Sequence, residues 1–190
     1  MADDFRYIDQ VLSGKHQAFR YLVDKYQDYA FTLAFRVLKN REDAEEAAQD
    51  AFVKAFRELA RFQKTAKFST WFYKIVYHTA IDYSRKKKRQ IVSLDNEDYH
   101  FDFEDSIYRT QWQKTCDEDR KKFISKAINR LNENDAAVIT LFYLHENSIE
   151  EISEITNLSA SNVKVKLFRS RIKLKKHLES ILHKETKELL

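Results

Sequence analysis

Phe19, Leu22, Val23, Tyr26, Ala30, Leu33, Ala34 and Val37 recur at three- and four-residue intervals, which predicts one amphipathic helix over about 15–38. Asn40 followed by Asp43 has the form of a capping pair, opening a second helix over about 41–61. Its apolar positions are Ala44, Ala47, Ala48, Ala51, Phe52, Ala55, Phe56 and Leu59. The period breaks over 61–68, a predicted loop, and resumes in a third helix over about 70–88 with Ser69 as its expected cap. Phe72, Val76, Ala80 and Tyr83 form the buried stripe of that helix, leaving Trp71, Lys74, His78 and Arg85 on a neighbouring face. Residues 95–105 have no helical period and read as extended or disordered. Helical character returns at about 107–131, and three further helices fit 134–145, 149–156 and 160–182.

Composition narrows the fold class to all-α. One glycine and no proline in 190 residues leave little of the turn chemistry that hairpins and Gly-rich nucleotide loops require. The single cysteine, Cys116, precludes an internal disulfide and fits a reduced, cytoplasmic setting. The start Met1-Ala2-Asp3-Asp4 lacks the charged and apolar regions of a signal peptide, and no apolar run approaches the roughly 20 residues of a membrane span. Charge changes the picture more. The overall net charge of +4 conceals a net +6 over 1–92, −7 over 93–119 and +5 over 120–190. Two basic lobes flanking an acidic connector predict two small helical nucleic-acid-binding domains, 1–92 and 120–190, joined by a linker over 93–119 that repels nucleic acid.

Two constellations carry candidate chemistry. Phe68, Trp71, Phe72, Tyr73, Tyr77 and Tyr83 crowd into one segment, and Arg85-Lys86-Lys87-Lys88-Arg89 follows. Aromatic faces receive unstacked bases while lysine and arginine hold phosphates, a combination suited to a duplex being opened. Residues 148–177 have a helix-turn-helix pattern. Ile149, Ile152 and Ile155 form an apolar stripe, Asn157-Leu158-Ser159 a turn with Leu158 as its plug, and Ser159 the cap of an acid-free helix bearing Lys164, Lys166, Arg169, Arg171, Lys173, Lys175 and Lys176. Such a helix fits the major groove, with Ser161, Asn162, Lys164 and Lys166 at bases or adjacent phosphates and Arg169, Arg171 and Lys173 on the backbone.

Over about residues 8–178 the chain resembles the extracytoplasmic-function (group four) sigma factors of the sigma-70 family. Asp43-Ala44-Glu45-Glu46-Ala47-Ala48-Gln49-Asp50-Ala51-Phe52 is similar to the family helix that binds the clamp helices of core RNA polymerase. The resemblance implies polymerase contacts for Asp43, Glu46, Gln49 and Asp50. Phe68-Ser69-Thr70-Trp71-Phe72-Tyr73-Lys74-Ile75, continuing to Asp82 and Arg85, resembles the segment that opens the minus-ten promoter element, with a base flipped into the preceding loop. It implies roles there for Phe62, Gln63, Lys64, Thr65, Ala66 and Lys67, for Trp71 and His78, and for Lys74, Arg85 and Lys86 on phosphates. Trp71 and Phe72 fit either a core or a stacking platform. His78 stands where the family usually has asparagine, which leaves the minus-ten preference open. Ile149 to Lys176 is similar to the domain that reads the minus-thirty-five element, implying contacts for Ser159, Ser161, Asn162, Lys164, Lys166, Arg169, Arg171 and Lys173. Ser161 replaces the usual glycine, Asn162 the usual threonine, and Leu131-Asn132-Glu133 stands where Leu-Pro-Glu is common.

The implied function is promoter recognition and strand opening with core polymerase, under an anti-sigma factor, with no membrane insertion, cofactor or metal. The alternative is a stand-alone helix-turn-helix regulator, which accounts for 148–177 but not for the aromatic segment or the acidic helix. An enzyme lacks support in the scattered histidines at 16, 78, 100, 145, 177 and 183 and the missing phosphate-loop and nucleophile motifs. For a helical scaffold, the clustered basic faces would be superfluous.

Overall fold

The computed structural model describes residues 2–93 and 118–188. Among them the regular elements are helices: α1 (Ala2–Leu12), α2 (Phe19–Leu38), α3 (Arg41–Glu58), α4 (Phe68–Ser93), α5 (Glu118–Asn129), α6 (Glu133–Tyr143), α7 (Ile149–Thr156) and α8 (Ala160–Glu188), with short 3-10 turns at His16–Ala18 and Leu59–Arg61. The predicted helices are present with shifted ends. The second ends in a 3-10 turn, and the third opens at Phe68, so Ser69 lies inside it. The acidic segment 95–105, the predicted helical stretch 107–117 and Cys116 lie outside the described residues.

Local chemistry fixes the ends. Asn40 accepts from the Asp43 amide at 2.8 Å, as its spacing predicts, and Asn132 does the same for Asp135 at 2.9 Å. Ser148 and Glu151 form a reciprocal capping box on α7. Gly14 closes α1 at φ +95°, with the Lys15 amide reaching back to the Gln10 carbonyl at 2.9 Å. Elsewhere this glycine-poor chain bends through Lys39, Lys64, Glu146 and Asn157, all with φ between 52° and 58°. Such left-handed backbone costs a non-glycine residue on the order of 1 kcal/mol and persists only where its surroundings hold it.

The N-terminal helices pack α2, α3 and α4 against one another, and α1 joins them through Ile8 and Val11. Phe68 and Phe72 are fully buried, stacked at 5.7 Å with Tyr26 beside both. Tyr73 and Tyr77 are buried too. Most of the aromatic cluster is therefore core, including Phe72, whose place the sequence leaves open. Phe56, expected in the core, is 38 % exposed at its edge against Phe19 and His16. Alanines at 44, 47, 48, 51 and 55 let α3 approach its neighbours closely. The C-terminal helices bury Ile152, Ile155, Val163 and Leu167, while Ile149 and Leu158 are half-buried.

One continuous core joins the two sets. α4 packs along α7, and α2 along α6. Arg36 is 5 % exposed and donates to Ser125 Oγ at 3.0 Å and Asn129 Oδ1 at 2.5 Å. Lys39 reaches the Leu131 carbonyl at 2.7 Å, and Tyr77 donates to Asn134 at 2.8 Å.

Replacing Phe72 by alanine opens a cavity in this core and is expected to lower unfolding free energy by about 3–5 kcal/mol in urea titrations. Phe168→Ala, on a side chain 64 % exposed, should stay within about 0.5 kcal/mol. Equal losses from both would contradict this assignment of core and surface.

Candidate nucleic-acid interface

The 62–67 loop joins α3 to α4. Phe62 is 8 % exposed and packs against Phe5, Phe68 and Trp71, so its ring anchors the loop from below and is not available as a surface platform. Gln63, Thr65 and Lys67 are exposed, and Lys64 and Ala66 half-buried. Lys64 holds left-handed backbone at φ 58° and pairs with Asp9 of α1. A cavity of about 400 Å³ opens beside the loop, lined by Phe5, Lys64, Thr65, Ala66, Lys67, Thr70, Glu151 and Glu154. Trp71 is half-buried against Phe62 and Phe68.

Two walls of that cavity differ in charge because they come from different halves of the chain. Lys67 pairs with Glu151 of α7 at 2.8 Å, and Thr70 donates to the same carboxylate at 3.3 Å. Burial alone would raise the Glu151 carboxyl, but the Lys67 ammonium and the Ser148 amide hold it below its ordinary value. Glu151 thus caps its own helix and grips the basic loop at once.

Farther along α4, Lys74 and His78 are half-buried, and Arg85 and Lys86 are exposed. His78 Nε2 lies 3.2 Å from Asn157 Nδ2, in the turn of the helix-turn-helix. Burial, with Lys74 adding to it, lowers the imidazole below its ordinary value. The basic run does not form a single rail. Lys87 pairs with Asp43 at 2.5 Å and Lys88 with Glu133 at 2.6 Å, while Arg85, Lys86 and Arg89 remain exposed.

On α3, Glu46, Gln49 and Asp50 are exposed, whereas Asp43 is half-buried against Lys87. Asp50 accepts from Tyr83 Oη at 2.7 Å; burial and this carboxylate raise the phenol. Val53 (47 % exposed) and Phe56 continue the same helical face. Sequence reasoning missed this apolar end. The spacing 46, 49, 50, 53, 56 held the signal, but Phe56 fits the buried period equally well.

In the helix-turn-helix, Ser159 caps α8 by accepting from the Asn162 amide at 3.3 Å. Ser161, Asn162, Lys164, Arg169 and Arg171 are exposed. Lys166 and Lys173 are held elsewhere. Both turn to Asp135, a residue 4 % exposed, at 3.4 and 2.7 Å. Burial would raise that carboxyl, but the two lysines hold it below its usual range. These two candidates are therefore built into the joint between α6 and α8. Arg171 sits 5.5 Å over both Phe142 and Tyr143, a cation–π contact that leaves its edge outward. Val165, Phe168 and Ile172 form an exposed apolar stripe that the basic pattern hid. Among the described residues no group of acids, histidines or cysteines forms a metal cluster, and no helix is long and apolar enough to cross a membrane.

Comparison with known proteins follows the same two-part division. Sigma-70 region 2 matches residues 22–90, and sigma-70 region 4 matches residues 124–174. The ECF RNA polymerase sigma factor SigW of Bacillus subtilis is 32 % identical over 92 % of this chain and 96 % of its own length. The ECF RNA polymerase sigma-E factor of Haemophilus influenzae is 27 % identical over 92 % and 95 %. Among solved structures, the sigma factor RpoE in complex with the anti-sigma factor NepR from Bartonella quintana has the same fold, with a TM-score of 0.70 at 20 % identity, covering 85 % of this chain and 96 % of that one. CnrH in complex with the cytosolic domain of CnrY superposes with a TM-score of 0.62 at 20 % identity over 92 % and 96 %. With its two sigma regions in order and a relative of this identity along nearly its whole length, the chain belongs to the extracytoplasmic-function sigma factors of the sigma-70 family.

Proposed function

We propose that this sigma factor divides promoter recognition among three surfaces. The exposed face of α3, from Glu46, Gln49 and Asp50 to Val53 and Phe56, docks core RNA polymerase. The 62–67 loop and the outward side of α4 receive the opened minus-ten strand. The start of α8 reads the minus-thirty-five duplex. The observation that carries this reading is the 62–67 loop itself: Gln63, Thr65 and Lys67 are exposed on it while the buried Phe62 ring anchors it, a seat for a flipped base once α7 moves away. Capture of a base there, with Lys74, Arg85 and Lys86 on phosphates, offsets unstacking of about 1–2 kcal/mol per base-pair step. Trp71 braces the loop through its contacts with Phe62 and Phe68, and His78 would meet the strand farther along. The three surfaces have distinct chemistry, and only the third would serve a regulator that binds duplex unaided.

One structural neighbour is a sigma factor in complex with an anti-sigma factor, and a similar regulator is proposed for this chain. The exposed stripe Val165, Phe168 and Ile172 and the apolar end of the α3 face offer it contact area.

The direct test is transcription in vitro. Core polymerase with this chain should initiate at mapped promoters on pooled genomic DNA, while core alone should not; failure to form a stable complex with bacterial core would overturn the proposal. Removing the ammonium groups with Lys64→Ala and Lys67→Ala should slow strand opening at least tenfold, read by permanganate reactivity, while core binding stays within about twofold. On α8, Arg169→Ala should weaken all duplexes alike and reduce the magnitude of the log–log salt slope by about 0.9, the loss of one phosphate contact. Asn162→Ala and Lys164→Ala should instead change which upstream sequence is preferred. Uniform weakening by all three would contradict the base-reading assignment.

A further inference from the structure

The loop between α6 and α7 carries a side chain that none of the three surfaces uses. His145 projects from the C-terminal half into the N-terminal half, its ring 5.0 Å from Tyr29 of α2 at 82° and 4.8 Å from Tyr73 of α4 at 38°. Both ring nitrogens are buried and neither has a hydrogen-bond partner. An imidazole with two unsatisfied nitrogens adds little to a joint except shape, and a charged one would bring two N–H donors with nothing to accept them. The next residue, Glu146, holds left-handed backbone at φ 52°, so the turn that inserts the ring is itself strained.

The joint it sits in covers the proposed minus-ten surface. Lys67 and Thr70 are bound to Glu151, and His78 to Asn157, all from the C-terminal half. A strand entering the loop cavity must displace α7. We propose that the contact between the two halves is a proton-sensitive latch: the neutral His145 ring between Tyr29 and Tyr73 holds the C-terminal helices over the minus-ten face, and its protonation releases them. The consequence for promoter opening rests on the function proposed above; the latch itself does not.

The charged surroundings favour this direction. The groups facing His145 are Tyr29 and Lys25 of α2, Tyr73 of α4, Tyr143 at the end of α6 and Glu146 of its own turn, around a cleft of about 660 Å³. Asp28 acts on Tyr29 from the same side. Burial raises both flanking phenols, so neither supplies a phenolate to balance an imidazolium. Burial alone lowers His145 to about 3. Once the halves part, the ring returns to its ordinary value of about 6.5. A group depressed in the closed form stabilises that form above its open-state value and loses the contribution as pH falls toward the closed-state value. Here that window runs from about 6.5 down to about 3. Between pH 7.5 and 5.5 the closed-to-open ratio should fall about tenfold from this residue. His78 acts in the same sense: burial, Lys74 and Arg85 lower it, against Asp82 and the Ile155 backbone. Glu151, also held below its ordinary value across the joint, adds a further loss at lower pH.

Single-molecule energy transfer between labels at Gln17→Cys and Glu179→Cys, in a full chain carrying Cys116→Ser, reads the closed and open populations without DNA or polymerase. The closed-to-open ratio is expected to fall about tenfold or more from pH 7.5 to 5.5 at constant helicity, while His145→Phe leaves only a clearly smaller fall in the same direction, due to His78. An unchanged ratio in the parent chain, or the same fall in His145→Phe, overturns the latch. Should His145→Phe fail to close, the ring resonances of the unsubstituted chain decide. In the compact form the His145 ring should stay neutral below pH 5. Titration of His145 near the ordinary histidine value of about 6.5, without a change in shape, overturns the proposal. Because this readout is independent of transcription, failure of the latch and failure of the proposed function are told apart.

Discussion

Everything in this arrangement turns on α4 having two faces in use. One face supplies Phe68, Phe72, Val76 and Ala80 to the core of the N-terminal helices. The other carries the groups proposed for the opened strand, and α7 lies along it. A polar surface meant for nucleic acid cannot be covered by apolar packing without stranding its charges, because each desolvated ammonium needs a partner. The C-terminal half meets that constraint with carboxylates: Glu151 for Lys67 and Thr70, and Glu133 for Ser84 and Lys88. In the closed form these carboxylates occupy Lys67 and Lys88 in place of solvent or an external anion.

That substitution makes the closed form self-consistent and also limits its strength. Partly exposed ion pairs contribute about 0–1 kcal/mol each. The joint therefore depends more on its buried members: Arg36 between α2 and α5, Tyr77 against Asn134, and the His145 ring between two tyrosines. None of these groups belongs to a surface proposed for polymerase or DNA. These buried members of the joint lie apart from the proposed recognition surfaces, whereas Lys67 and His78 belong to both.

Much of the fold was legible because the chain punctuates its helices clearly. Asn40 and Ser159 are strong N-caps, and the Ile152–Ile155 and Val76–Ala80 spacings have a clear helical period. The start of α4 lies about two residues before the expected one because Phe68 is fully buried, and tertiary packing draws the helix toward it. α1 was not anticipated: its short apolar set finds a partner only in the assembled core. Exposure of basic residues was the least legible feature. Lys166 and Lys173 look like their neighbours in the sequence, yet a buried Asp135 far along the chain claims both. Nothing local distinguishes a lysine awaiting phosphate from one already paired. Likewise Val165, Phe168 and Ile172 share a helix with a buried stripe at the same spacing, so period alone could not say which faced outward.

On the proposed latch, the closed arrangement and promoter opening exclude each other. The deciding experiment joins Lys39→Cys and Arg130→Cys, at the far end of the joint from the loop cavity, with a short reducible cross-linker in the Cys116→Ser chain. The linked chain should fail to open a cognate promoter with core polymerase, and reduction of the linker should restore opening. Equal opening before and after reduction would contradict the account.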